Sequence, residues 1–166
     1  RRHAADLCAP KRAGSRMKAI TLWQPYASAI PLGLKSYETR SWKTKLRGPI
    51  LIHAAKRAKT ADREFCKTMA ALYGRPELAD PPLGAIVAKA DIVDIFNVED
   101  IRDTLSTTEL AFGDYDDGRF AWKLENIQPL IEPIPYRGGQ GLFTVSDQEI
   151  AAARFSKPLN NMTIAS

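Results

Sequence analysis

A succession of short β-branched and aromatic runs, separated by glycine and proline, constrains this chain more than any other feature. Lys18-Ala-Ile-Thr-Leu-Trp23, Tyr37 to Trp42 and Ile50-Leu-Ile-His-Ala54 have the length and composition of strands. Gly84 to Phe96 is long enough for a bent strand. Arg119 to Leu124 and Ile131 to Tyr136 read as two strands separated by Glu125-Asn-Ile-Gln-Pro129, and Leu142 to Val145 reads as a closing strand. Helical signals are fewer. Pro25 suits a helix start, so residues 25–32 read as a short helix ended by Gly33. Phe65, Met69, Leu72 and Tyr73 form a helical stripe within 60–73, and Gly74 follows where a left-handed cap belongs. Ser146 to Ala153 reads as a terminal helix capped by Ser146. Residues 98–118 are acidic, and Gly113 to Gly118 reads as a mobile loop.

Strands that do not alternate regularly with helices argue against a doubly wound parallel sheet. The expected class is α+β or mainly β: a small, mostly antiparallel β-barrel with two or three helices at its mouth. A length of 166 residues points to one domain. Residues 17–166 are assigned to it. Residues 1–16 lack hydrophobic periodicity and read as a disordered or added tail, with Met17 as the natural start. No apolar run reaches the ~18 residues of a spanning helix, and no secretory h-region is seen, so a cytoplasmic protein is expected.

Charge is segregated along the domain. Residues 35–67 hold ten Lys or Arg against three acids, whereas residues 91–117 hold nine acids and Arg102 alone. Segregated basic residues fit a polyanion such as nucleic acid; from charge alone, two solvated faces of opposite sign are the favoured reading.

Two segments carry candidate chemistry. In Gly33-Leu-Lys35-Ser-Tyr-Glu38-Thr-Arg40, strand alternation puts Glu38 and Arg40 on one face, with Lys35 at the entrance. A carboxylate between two cations can orient them for a ligand, or it can simply salt-bridge a strand edge. Trp23-Gln24-Pro25-Tyr26 puts two rings and an amide at a strand-to-helix corner. The rings can stack on a base and Gln24 can read its edge, or both rings can be buried as a staple. Lys43, Lys45 and Arg47 follow in a loop where they can hold phosphates. His53 stands in an apolar strand with no Cys or second His near it, so a hydrogen-bonded core histidine is expected rather than a metal ligand. No Walker-type loop, dinucleotide fingerprint or nucleophile elbow occurs, and no cofactor or metal is expected.

These words join up. Met17-Lys-Ala-Ile-Thr-Leu-Trp-Gln-Pro-Tyr-Ala-Ser28, the Gly33-x-Lys35-x-x-Glu38-x-Arg40-Ser-Trp42 segment and Arg47-Gly-Pro-Ile-Leu-Ile-His53 resemble the ASCH family, domains similar to the one in activating signal cointegrator-1. So do Gly84-Ala-Ile-Val-Ala-Lys-Ala-Asp91-Ile-Val-Asp94, Phe120-Ala-Trp122-x-Leu124-Glu-Asn126 and Pro133-Ile-Pro135-Tyr-Arg-Gly138 with Gln140-Gly-Leu142. The resemblance implies a PUA-like β-barrel, a cleft beside the G-x-K-x-x-E-x-R segment, and binding of RNA or a modified nucleoside. It also implies a rival reading, since some relatives are amidohydrolases acting on N4-acetylcytidine and a ribonuclease activity has been proposed for others. In those amidohydrolases a catalytic Thr follows the motif Lys by three positions. Here that position is Glu38, so the hydroxyl nucleophile is missing. A hydrolase built on this chain would use Lys35 and Glu38 as its acid/base pair.

Overall fold

The apolar run at 50–54 is the centre of the molecule. A computed structural model describes residues 15–159. It places Ile50, Leu51 and Ile52 on β3 (Gly48–Ala54), all fully buried, because this strand has neighbours on both edges and packing on both faces. Alternation sends Ile50 and Ile52 to one face with Ile20, Leu22, Trp122 and Leu124. Leu51 goes to the other face, with Ala19, Ile86 and Val145.

The sheet has six strands in the order β2-β5-β4-β3-β1-β6. β1 is Arg16–Leu22, β2 Tyr37–Arg40, β4 Ala85–Asn97, β5 Phe120–Pro135 and β6 Leu142–Ser146. The order is open: β2 and β6 are edges, so the expected barrel is not closed. It is a mixed sheet, since β1 and β3 run parallel and every other pair is antiparallel. The parallel pair arises because the chain leaves β1 through α1 (Tyr26–Ala29) and distant β2 before returning, and a parallel pair needs such a crossover.

Several local expectations are corrected. The separator at 125–129 does not break the strand. β5 runs straight through it, with Asn126 at φ 51° and register shifts against β4 absorbing the irregularity as bulges. α2 (Thr60–Tyr73) matches its periodicity and ends on Gly74 at φ 61°. Leu72, however, is 70% exposed, and Cys66 and Ala70 join Met69 on the buried face. The terminal helix after Ser146 does not form. Ser146 Oγ accepts the Glu149 N–H at 3.4 Å as a cap would, but the chain continues in turns and Phe155 then bridges Leu130. The acidic 98–118 stretch contains α3 (Val98–Ile101), a 3-10 turn at Arg102–Thr104 and α4 (Thr107–Ala111). Arg16, assigned to the tail, opens β1 opposite Ser146; residues 1–14 of that tail lie outside the described residues. No helix among the described residues is long and apolar enough to cross a membrane.

Candidate functional site

β1 delivers Trp23 to the mouth of the open sheet. α1 then turns the chain, and Gly33 at φ 77° permits the reversal that brings Lys35 back beside Tyr26. The N–H groups of Leu34 and Lys35 both donate to the Ala29 carbonyl, which fixes that return. β2 follows and pairs Glu38 with Trp122 and Arg40 with Phe120. The result is a pocket of about 260 Å³ lined by Trp23, Tyr26, Lys35, Glu38, Arg40 and, from the acidic stretch, Asp114 and Arg119.

Lys35 is a core residue by burial, 1% exposed. Its ammonium donates to the Phe112 carbonyl at 2.6 Å and stands 5.9 Å from the centre of the Tyr26 ring. Burial pushes its pKa down, while Glu38 and then Glu109 pull it back up and Arg40 and Arg119 oppose them. Burial likewise raises the Tyr26 phenol.

Glu38 and Arg40 share one unusual property. Glu38 Oε1 accepts the Thr39 N–H at 2.8 Å, but Oε2 is buried with no hydrogen-bond partner. Its nearest cation is Arg40 Nη2 at 4.0 Å, too far for a hydrogen bond. Arg40 Nη2 donates instead to the Thr21 carbonyl at 2.7 Å, and Arg40 Nε is buried and unpartnered. Each such atom costs about 1–3 kcal/mol unless something satisfies it. Trp23, 49% exposed, offers a ring face beside them.

The other candidates lie elsewhere. Gln24 is buried away from this pocket and its amide is committed: Nε2 donates to Ser28 Oγ at 2.7 Å and to the Pro82 carbonyl at 2.8 Å, while Oε1 accepts the Ser28 N–H at 3.0 Å. Pro25 is buried at the start of α1, and its carbonyl accepts the Ala29 N–H. Lys43 and Arg47 line a second, polar pocket of about 370 Å³ with Asn97, Asp100 and Phe120. Lys43 stands 5.7 Å from the Phe120 ring centre, and Arg47 lies 4.0 Å from Asp94. Lys45 is exposed on the same loop and lines neither pocket. His53 is satisfied on both nitrogens: Nε2–H donates to the Tyr136 carbonyl at 2.7 Å, so Nδ1 accepts from Thr21 Oγ1 at 3.0 Å. Among the described residues no group of His, Cys, Asp or Glu is arranged to hold a metal ion.

Sequence reasoning missed the pocket's second wall. Thr39, Gly113, Asp114 and Arg119 line it, held together by hydrogen bonds from the Asp114 N–H to Thr39 Oγ1 at 3.2 Å and from Arg119 Nη2 to the Thr39 carbonyl at 3.1 Å. The one available signal, the Ser106-x-x-Glu109 spacing of a helix start, lies upstream of this wall and was not used.

The ASCH domain profile matches residues 20–135. The crystal structure of ASCH from Zymomonas mobilis superposes with a TM-score of 0.52 at 19% identity, covering 83% of this chain and 96% of that one. A serine-to-alanine mutant of the same protein gives a TM-score of 0.51 at 19% identity, with the same coverage. No curated protein sequence matches the chain significantly. The profile match runs from the last residues of β1 to the end of β5 and takes in the residues that line the pocket: this chain belongs to the ASCH domain family.

Proposed function

We propose that the chain binds RNA or a modified nucleoside, with one base in the pocket between β2, α1 and the 113–119 loop. The observation that carries this reading is the pair of buried, unpartnered atoms, an acceptor on Glu38 and a donor on Arg40, in the wall of one pocket. A nucleobase edge presents a donor beside an acceptor, which is the complement of that pair. The exposed Trp23 ring supplies a stacking face, and base–aromatic stacking is worth about 1–3 kcal/mol per base. Lys43, Lys45 and Arg47 stand exposed beyond the pocket, where flanking phosphates would run. Family membership supports the same class of ligand. We infer the cytoplasm as its compartment, in keeping with a free Cys66 thiol.

One observation favours a second reading, a hydrolase of RNA or of N4-acetylcytidine-like nucleosides. A lysine whose pKa burial has lowered is suited to act as a general base, and Glu38 keeps an oxygen free beside it. Product formation from acetylated cytidine by the wild-type protein, abolished in Lys35→Met, would establish that reading over simple binding.

Binding is tested by titrating a single-stranded RNA oligonucleotide across a range of salt. Each phosphate contact should contribute a slope of roughly 0.7 log units per log salt. The triple variant of Lys43, Lys45 and Arg47 to Ala should flatten that slope and leave nucleoside binding intact. Absence of RNA and nucleoside binding at low salt overturns the proposal.

A further inference from the structure

α4 is five residues long and is fastened at both ends to the segment that carries Lys35. At its start, Ser106 Oγ accepts the Glu109 N–H at 3.1 Å. In a capping box the glutamate side chain would then turn back to the Ser106 backbone. Glu109 does not. Its carboxylate reaches across to accept the Ser36 N–H at 3.0 Å, Ser36 Oγ at 2.9 Å and the Tyr37 N–H at 3.0 Å. The Tyr115 hydroxyl donates to it at 3.3 Å. At the far end of the helix, the Phe112 carbonyl holds the Lys35 ammonium.

The diverted carboxylate is 7% exposed and does not line the ligand pocket. The ammonium it serves needs a counter-charge. Among the described residues the ion pairs within 4 Å do not include Lys35, so nothing cancels its charge at contact distance. The groups that face it are Glu38 and Arg40 of β2, Arg119 before β5, the Tyr26 ring of α1 and Glu109 of α4. Of the two acids, Glu38 is in the pocket with an oxygen free for ligand, and Glu109 is behind it with its oxygens occupied.

Resting on the binding reading above, we infer that Glu109 is a positioning residue of this site: its hydrogen bonds to Ser36 and Tyr37 hold the Lys35 segment against α4, and from behind the pocket it adds a second negative charge to that of Glu38 opposite the Lys35 ammonium. Glu38 Oε2 keeps no hydrogen-bond partner and stays open to the ligand. A buried charge that loses part of its compensation is costly, which gives the second carboxylate a physical cause.

The test reads Lys35 directly in the ligand-free full chain, by NMR titration of the lysine side-chain carbons in wild type and Glu109→Gln. Removing the negative charge should lower the Lys35 midpoint by about one pH unit or more. The pH at which affinity for a single-stranded RNA hexamer begins to fade should fall by a similar amount. Ser36→Ala and Tyr115→Phe remove hydrogen bonds to Glu109 and keep its charge; they should lower Tm and leave the Lys35 midpoint in place. An unchanged midpoint in Glu109→Gln overturns the inference. If Glu109→Gln does not fold, adding Lys35→Met should restore folding, and a double variant that stays unfolded overturns it equally. Failure of the wild-type protein to bind RNA or nucleoside would remove the binding reading and leave the Lys35 titration standing.

Discussion

Two buried polar clusters, one around His53 of β3 and one around Glu38 and Arg40 of β2, differ in one respect. Around His53 every polar atom has a partner: Thr21 Oγ1 on one ring nitrogen, the Tyr136 carbonyl on the other. Around Glu38 and Arg40, two buried atoms have none. Thr21 belongs to both clusters, since its carbonyl also accepts from Arg40 Nη2. The first cluster behaves as structure, because satisfied buried polar groups rigidify a core. The second carries an unmet cost that a ligand can offset. A buried polar residue by itself says little, whereas a buried polar atom without a partner in a pocket wall points to binding.

The comparison breaks most visibly at His53. His53→Ala removes a fully buried ring and strands Thr21 Oγ1, and Gly138, which packs close over the ring, has no side chain to fill the gap. Loss of packing and of two hydrogen bonds should cost roughly 2–4 kcal/mol of stability. Chemical denaturation should show that loss, and ligand affinity of the folded fraction should stay within twofold. A large affinity change with little loss of stability would make His53 part of the site.

Glu38→Gln probes the other cluster and should give the converse pattern. The substitution keeps the volume and removes the charge. No hydrogen bond to Oε2 is lost, so the stability cost is confined to the charge that Glu38 sets against the buried Lys35 ammonium. Affinity for RNA or nucleoside should fall about ten- to a hundredfold, the share of a hydrogen bond to a charged group. An unaltered dissociation constant would show that the free oxygen is incidental.

The two clusters were unequally legible in the sequence. Alternation was enough to put Glu38 and Arg40 on one face and to bury His53 in an apolar strand, because strand periodicity depends only on local backbone geometry. The burial of Lys35 was not legible, because beside nearby α1 it depends on α4 and the 113–119 loop converging on it from 70 or more residues away. Gln24 misled for a related reason: its partners are Ser28 and the distant Pro82 carbonyl, and no spacing rule reveals the second. Openness of the sheet was also hidden. Each strand and most of the boundaries were visible as turn signals, but whether β2 meets β6 is a matter of long-range register. The break expected at 125–129 was a bulge, since Pro129 and Asn126 read as a turn when the β4 pairing that carries them is not in view.

The smallest expected effect concerns pH, and it sharpens the contrast through charge. Burial lowers the His53 pKa below 6.5, so the folded protein prefers the neutral ring. The unfolded chain therefore binds the proton more readily. The stability this contributes is present above pH 6.5 and is lost as pH falls below that value toward the folded pKa, with a slope of at most about 1.4 kcal/mol per pH unit for one proton. Lys35 is lowered too, and by the same reasoning its folded form gains stability as pH rises toward 10.5. The two windows do not overlap, so they can be separated in one protein. Between pH 5 and 6.5, Tm of His53→Gln should fall less steeply than that of wild type, while Glu38→Gln should follow the wild-type slope there. Between pH 8.5 and 10.5 the pattern should reverse: His53→Gln should track wild type, and Glu38→Gln, having lost the larger of the two charges that hold Lys35 protonated, should depart from it. Parallel curves for all three proteins across both ranges would mean that neither cluster titrates as its burial requires, and the contrast between them would then rest on hydrogen bonding alone.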